Sequence, residues 1–280
     1  MKYSLLAIVF AFLVSCSSSD DEKDYRVENE AEIVAYVAEH GLNATRSNSG
    51  LYYVIEEEGA GAQVTSTSDV AVTYKGTYTN GTVLDDSKGE LVSFNLQGVI
   101  AGWSEGLSYF KEGGKGTLLI PSYLGYGSKD SNGVPGGSVL VFEITVFSDE
   151  MIADRNQAEI ATYLEDKDLT AARTDSGLYY IIEEEGTGEF PTETSTVTVS
   201  YIGSFLDDTV FTESSVSGRQ YDLAEVIKGW TEGIPYFKAG GEGKLIIPAH
   251  LAYGSYSDIY YGIPSGSVLI YEVKLISIDE

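Results

Sequence analysis

Two histidines and one cysteine are the whole supply of imidazole and thiol in this 280-residue sequence, at His40, His250 and Cys16. None of them has a partner at metal-ligand spacing, so zinc chemistry and a Ser-His-Asp site are poorly supported. No metal and no cofactor is expected, and both histidines read as surface residues. What does recur is aromatic. Tyr74, Trp103 and Tyr126 return as Tyr201, Trp230 and Tyr253, each 127 positions later, and the two tryptophans are the only ones present. Ser49–Gly59 likewise returns, nearly unchanged, as Ser176–Gly186. Solenoid repeats run about 20 to 50 residues, so a period this long marks two copies of a complete domain.

The net charge of −26 argues against nucleic-acid binding, which needs a basic footprint, and against electrostatic attachment to anionic lipid. Lys2 followed by the apolar run Leu5–Val14 is too short to span a bilayer and reads as a signal peptide over residues 1–15. Residues 16–27 read as a solvated, mostly acidic tether. The expected domains are then 28–149 and 150–280, each with a leading helix, joined by a short link from Ser148 to Asp154.

The elements that must hold the aromatic groups follow from periodicity. Glu28–His40, with Ile33, Tyr36 and Val37 on one side and Gly41 as a stop, predicts a packing helix. Its counterpart is predicted over Asn156–Asp166, with Ile160, Tyr163 and Leu164. Leu51–Ile55 is a strand candidate, and Val70, Val72 and Tyr74 alternate as a half-buried strand should. Asn80-Gly81 is a hairpin signal and Asp207-Asp208 a weaker version of it. Phe94 and Leu96 mark a further strand, matched by Tyr221 and Leu223. Val99, Trp103, Leu107 and Phe110 share a helical face, as do Val226, Trp230, Ile234 and Phe237. Thr117–Ile120 and Val139–Phe147 complete the strands of the first copy. The expected class is α+β: two tandem domains, each an antiparallel half-barrel around a short helix.

Taken in order, Tyr74–Gly76, Thr82–Asp85, Val99–Trp103, Pro121–Gly127 and Val134–Phe142 resemble the motifs of the FKBP-type peptidyl-prolyl isomerases. Tyr201–Gly203, Val226–Trp230, Pro248–Gly254 and Ile263–Tyr271 repeat the resemblance, which covers about residues 50 to 278. It implies a pocket floored by Trp103 and walled by Tyr74, Leu84, Asp85, Phe94, Val99, Ile100, Tyr126, Val134 and Phe142. The Ile100 N–H and the Tyr126 hydroxyl would hold substrate carbonyls, and Tyr74 with Asp85 would form a polar corner. In the second copy the matching positions are Tyr201, Phe211, Tyr221, Val226, Ile227, Trp230, Tyr253, Ile263 and Tyr271. Leu13–Cys16 also resembles a bacterial lipobox, which implies acylation at Cys16 and a lipid anchor in the cell envelope, with the outer membrane as the expected site.

The copies depart from the family pattern differently. The first has Leu84 in place of the usual phenylalanine. The second restores an aromatic as Phe211, but has Thr212 for the aspartate, Arg219 at an expected apolar wall and Tyr271 for Phe142. Tyr201 is therefore expected to lack its partner, and the second copy to turn over more slowly. The expected function is acceleration of Xaa-Pro isomerisation in unfolded or partly folded exported polypeptides, with macrolide-type ligands accepted. The alternative is a lipid-anchored chaperone or scaffold that holds apolar or proline-containing segments with little turnover.

Overall fold

Each copy folds as a leading helix followed by seven strands and a short second helix. The computed structural model describes residues 23–258 and 260–279, so the signal peptide, Cys16 and the tether before Lys23 lie outside the described residues. The first copy runs α1 (Arg26–Glu39), β1 (Thr45–Arg46), β2 (Tyr52–Glu58), β3 (Asp69–Tyr78), β4 (Val83–Asp86), β5 (Val92–Asn95), α2 (Ala101–Leu107), β6 (Gly114–Ile120) and β7 (Leu140–Val146). The second runs α3 (Asp149–Asp166), β8 (Ala172–Arg173), β9 (Tyr179–Glu184), β10 (Thr196–Ser204), β11 (Val210–Glu213), β12 (Arg219–Asp222), α4 (Lys228–Gly233), β13 (Glu242–Ile247) and β14 (Leu269–Asp279). The first sheet has the order β1-β2-β6-β7-β3-β4 with β5 also beside β3, and the second sheet repeats it as β8-β9-β13-β14-β10-β11 with β12 beside β10. The class is α+β, as expected. Among the described residues no helix is long and apolar enough to cross a membrane.

The inner face of the first sheet buries Val70, Val72, Leu118, Ile120, Leu140, Phe142 and Ile144 against Trp103 and Leu107 of α2. Its outer face is covered as well, since Ile33 of α1 packs on Leu119, Val139 and Val141. That double cover explains why Leu118–Ile120 of β6 and Leu140–Phe142 of β7 are unbroken apolar runs and not strict alternation. In the second copy Ile160 and Tyr163 of α3 cover Ile246, Val268 and Ile270 in the same way.

Several elements differ from the sequence expectation. The helix α1 starts at Arg26, inside the segment read as tether. Helix α3 starts at Asp149, so the supposed link Ser148–Asp154 is two further helical turns. The Ser148 hydroxyl accepts from the Met151 N–H at 3.2 Å, and Asp149 and Glu150 sit in the first turn, where carboxylates complement the helix dipole. Helix α2 is also shorter than the apolar spacing suggested, and Phe110 lies beyond it. In the second copy Pro235, which has no N–H to donate, falls in the 3₁₀ turn Ile234–Tyr236 that follows α4. The hairpin after β3 uses positive φ only at Gly81, not at Asn80; its counterpart uses it only at Asp208.

Helix α3 also joins the copies. Ile152 is buried with Ala71 and Leu91 of the first copy and Ala249 of the second. Arg155 Nη1 donates to the Gly89 carbonyl at 2.8 Å. Ile152→Ala is therefore expected to lower stability to urea by about 2–5 kcal/mol through the cavity it leaves. Arg155→Ala, which removes an exposed contact, should cost about 1 kcal/mol or less. Equal losses from the two variants would contradict this view of the join.

Candidate functional site

The floor of the first site is set by how low α2 can lie. A Cβ on Gly102 would fall 2.4 Å from Ile120, and one on Gly106 2.6 Å from Leu118, so only glycine lets the helix rest on β6. Trp103, between them, is 4 % exposed. Its ring meets Tyr74 at 5.2 Å and 85°, Phe94 at 5.2 Å and 74°, and Phe142 at 5.3 Å and 90°. Such edge-to-face pairs contribute about 0.5–1.5 kcal/mol each beyond area burial, so the indole is locked from three sides. Gly76 faces Phe142 across the β3–β7 pair, and a Cβ there would lie 2.5 Å from that ring.

Above this floor lies an open hollow of about 700 Å³ lined by all ten expected residues: Tyr74, Leu84, Asp85, Phe94, Val99, Ile100, Trp103, Tyr126, Val134 and Phe142. Gly98, Gly125, Ser131 and Asn132 line it too and were not anticipated. The Tyr74 hydroxyl donates to Asp85 Oδ2 at 2.6 Å, and Asp85 Oδ1 accepts from the Asp86 N–H at 2.9 Å. Burial, and then the bond to Asp85, pushes the Tyr74 phenol well above the ordinary tyrosine range. Ile100 caps α2 in an extended conformation, and its N–H meets no acceptor among the described residues; neither does the Tyr126 hydroxyl find a partner there. Two unpaired donors beside the aromatic floor are suited to a pair of neighbouring peptide carbonyls. The indole N–H of Trp103 is buried without a partner, as is that of Trp230. An orphan buried donor costs about 1–3 kcal/mol, and here the same cost is carried at the same place twice.

The second site keeps the frame and alters its chemistry. Trp230 meets Tyr201 at 5.0 Å, Tyr221 at 5.3 Å and Tyr271 at 5.2 Å, again near perpendicular. Thr212 takes the register of Asp85, opposite Gly203 as Asp85 is opposite Gly76. Tyr201 thus lacks the carboxylate partner, as expected, but finds another that the sequence reading did not name. Its hydroxyl and that of Tyr221, which stands where the first copy has Phe94, lie 2.8 Å apart. Tyr201, Phe211, Tyr221, Val226, Ile227, Trp230, Tyr253 and Tyr271 line a smaller hollow of about 240 Å³. Glu225 and Tyr261 join them, unforeseen; Ile263 does not, being 2 % exposed within the core. Arg219 pairs with Val199 and is exposed, with its guanidinium beside the Tyr221 phenol at the edge of this lining. Burial pushes the Tyr271 phenol up strongly, and burial together with the Tyr201 bond does the same for Tyr221.

Both histidines are exposed. His40 stacks on Tyr36 at 3.9 Å, and His250 Nε2 lies 2.8 Å from the Ser176 carbonyl. Among the described residues no group of His, Cys, Asp and Glu could hold a metal ion.

Residues 61–147 and 187–276 match the family model for FKBP-type peptidyl-prolyl cis-trans isomerases. The chain is 40% identical over 136 residues to the FKBP-type isomerase FkpA of Escherichia coli strain K12, covering 46% of this chain and 49% of that protein. It is 39% identical over 126 residues to FkpA of Buchnera aphidicola from Schizaphis graminum, covering 44% and 49%. It thus spans about half the length of the curated relatives it matches. Among solved structures, the crystal structure of E. coli FkpA is similar at 38% identity and a TM-score of 0.40, over 44% of this chain and 60% of that one. The three FKBP domains of wheat FKBP73 are similar at 25% identity and a TM-score of 0.37, over 83% and 96%.

The raised phenols give a pH prediction. A tyrosine whose pKa is higher folded than unfolded holds its proton longer in the folded chain. Its contribution is complete below about pH 10 and is lost as pH climbs beyond that. Near-ultraviolet absorbance should therefore show Tyr74, Tyr221 and Tyr271 ionising only above the exposed tyrosines, with stability to urea declining over that range. Phe variants of these three that leave the alkaline titration unchanged would refute it.

Proposed function

Since the chain belongs to the FKBP-type peptidyl-prolyl cis-trans isomerase family, we propose that it is a prolyl isomerase with two unequal sites, the first being the main catalyst. The observation that carries this reading is the open hollow over Trp103, where Leu84, Phe94, Val99 and Phe142 face the Tyr74–Asp85 corner and the unpaired Ile100 N–H and Tyr126 hydroxyl. Rotation about a peptide bond faces a barrier of about 18–20 kcal/mol because it breaks amide resonance. The planar amide is the more charge-separated form, so a dry apolar cavity disfavours it relative to the twisted form. The Trp103 floor and the Phe142 and Phe94 walls exclude water from the proline ring. The Ile100 N–H and the Tyr126 hydroxyl hold the flanking carbonyls, which fixes the ring in the orientation for rotation. The Tyr74–Asp85 pair keeps the corner neutral at Tyr74 and ordered. An acceleration of ~10⁵ needs ~7 kcal/mol of preference for the twisted form, and no nucleophile or general base is required.

The second site is the weaker catalyst in this reading. Its smaller hollow carries the phenols of Tyr221 and Tyr271 where the first has two phenyl rings. Hydroxyls near the rotating bond solvate the planar amide and reduce the bias toward the twisted form. The same features favour a second role there: holding apolar or proline-containing segments with little turnover. Substrates would be unfolded or partly folded exported polypeptides, delivered to a chain anchored in the envelope through acylated Cys16. A macrolide-type ligand would take the first hollow.

Exchange-rate NMR on a short Leu-Pro peptide tests the division of labour. Phe142→Ala should lower turnover at least about tenfold, equal to ~1.4 kcal/mol of lost preference for the twisted form. In that background, Thr212→Asp with Tyr221→Phe rebuilds the first copy's corner and should raise turnover again. Undiminished catalysis in Phe142→Ala would mean that the site lies elsewhere.

A further inference from the structure

Each leading helix buries one asparagine completely, Asn29 on α1 and Asn156 on α3, at the same offset of 127 as the aromatic residues. Asn29 Nδ2 donates to the Gly137 carbonyl at 2.8 Å, and its Oδ1 accepts from the Ser122 N–H at 2.8 Å. Asn156 does the same with the Gly266 carbonyl and the Ala249 N–H, each at 2.8 Å. These backbone atoms are the two ends of one loop in each copy. Ser122 opens the 3₁₀ turn after β6, and Gly137 stands just before β7. Between them lie Gly125, Tyr126, Ser131, Asn132 and Val134, all lining the first hollow. Between Ala249 and Gly266 lie Tyr253 and Tyr261, which line the second.

The loop ends also bond to each other. In the first copy the Gly127 N–H donates to the Ser122 carbonyl at 2.8 Å, and the Gly137 N–H to the Gly127 carbonyl at 2.9 Å. Asn29 closes that circuit from outside the domain's sheet. An asparagine suits the place because one planar group both donates and accepts, and a buried amide is tolerated only when both ends are satisfied.

Building on the prolyl-site reading above, we propose that Asn29 and Asn156 are positioning residues: each leading helix is part of its site, clamping the loop that carries the rim tyrosine. The second loop is further seated on the first copy. A Cβ on Gly266 would lie 2.6 Å from Leu91, and the Ser93 hydroxyl donates to the Ser255 carbonyl at 2.5 Å. Loss of the clamp therefore disturbs the first site more than the second.

The test uses Asn29→Asp and Asn156→Asp in the full chain, with exposed Asn43→Asp as the control for added charge. Aspartate keeps the acceptor for the Ser122 or Ala249 N–H but cannot donate to the second carbonyl. Each hollow has one tryptophan, so the two indole N–H signals report Leu-Pro peptide binding site by site. In Asn29→Asp, kcat per folded molecule is expected to fall about tenfold with KM within about threefold, because a loop displaced by about 1 Å misplaces Tyr126 while the floor still binds. The peptide-induced shift of the Trp103 signal should change with it, and the Trp230 shift should change less in Asn156→Asp. A kcat within about twofold of the parent, whatever the melting temperature, would overturn the proposal, since a merely structural asparagine alters stability and not turnover per folded molecule. Should Asn29→Asp not fold, the side-chain amide protons of Asn29 in the parent decide. Slow hydrogen exchange supports the clamp, and exchange as fast as loop residues 128–133 overturns it. A parent with no turnover would sink the isomerase reading instead, while the indole shifts and amide exchange still judge the clamp.

Discussion

One close approach governs both halves of the chain: a short helix lies on its sheet with glycine at the contact. Ile120 and Leu118 occupy the space that side chains at positions 102 and 106 would need; Ile247 and Leu245 do so at 229 and 233, where a Cβ would fall within 2.3 and 2.7 Å. A larger residue would lift the helix and drive its tryptophan upward into the hollow. With glycine, the indole stays low enough to be a floor while three aromatic rings stand around it. The hollow is a consequence of that seating, and every wall residue takes its position relative to it.

Within this shared frame the copies satisfy the polar corner by different means. The first uses a phenol and a carboxylate, Tyr74 and Asp85. The second moves the partner from the β4 position to the β5 position: Thr212 replaces the aspartate, and Tyr221 offers the hydroxyl that Phe94 lacks. A buried phenol that loses one partner needs another, and the exchange of two residues on neighbouring strands meets that need. The outcome is a smaller hollow with more hydroxyl groups, still floored by indole. Duplication preserved the scaffold and shifted the polarity of the cavity.

The leading helices connect these sites to the rest of the molecule. They cover the outer face of each sheet, so β6, β7 and β13 over much of their length, and the start of β14, are buried from both sides. Helix α3 does this for the second copy while its Ile152 packs on Ala71 and Leu91 of the first. Ala71 is therefore buried on a face of β3 that alternation alone would assign to solvent. The two copies share a contact and are not merely strung together.

The sequence by itself carried the duplication and the strand and helix types, and its resemblance to the family implied the ten expected residues of the first lining and, except for Ile263, those expected of the second. The duplication and the elements follow from spacing and apolar periodicity, and the linings from family motifs whose residues stand near one another in the chain. Tertiary structure alone decided which hydroxyl Tyr201 would find, that Glu225 and Tyr261 would join the second lining, and that α3 would begin at Asp149. It also decided what Asn29 bonds to, because Gly137 is 108 positions away and Ser122 is 93. The division has a physical cause. Local conformation depends on neighbours along the chain, whereas the partner of a buried polar group depends on which distant segments the packed core brings within hydrogen-bonding distance.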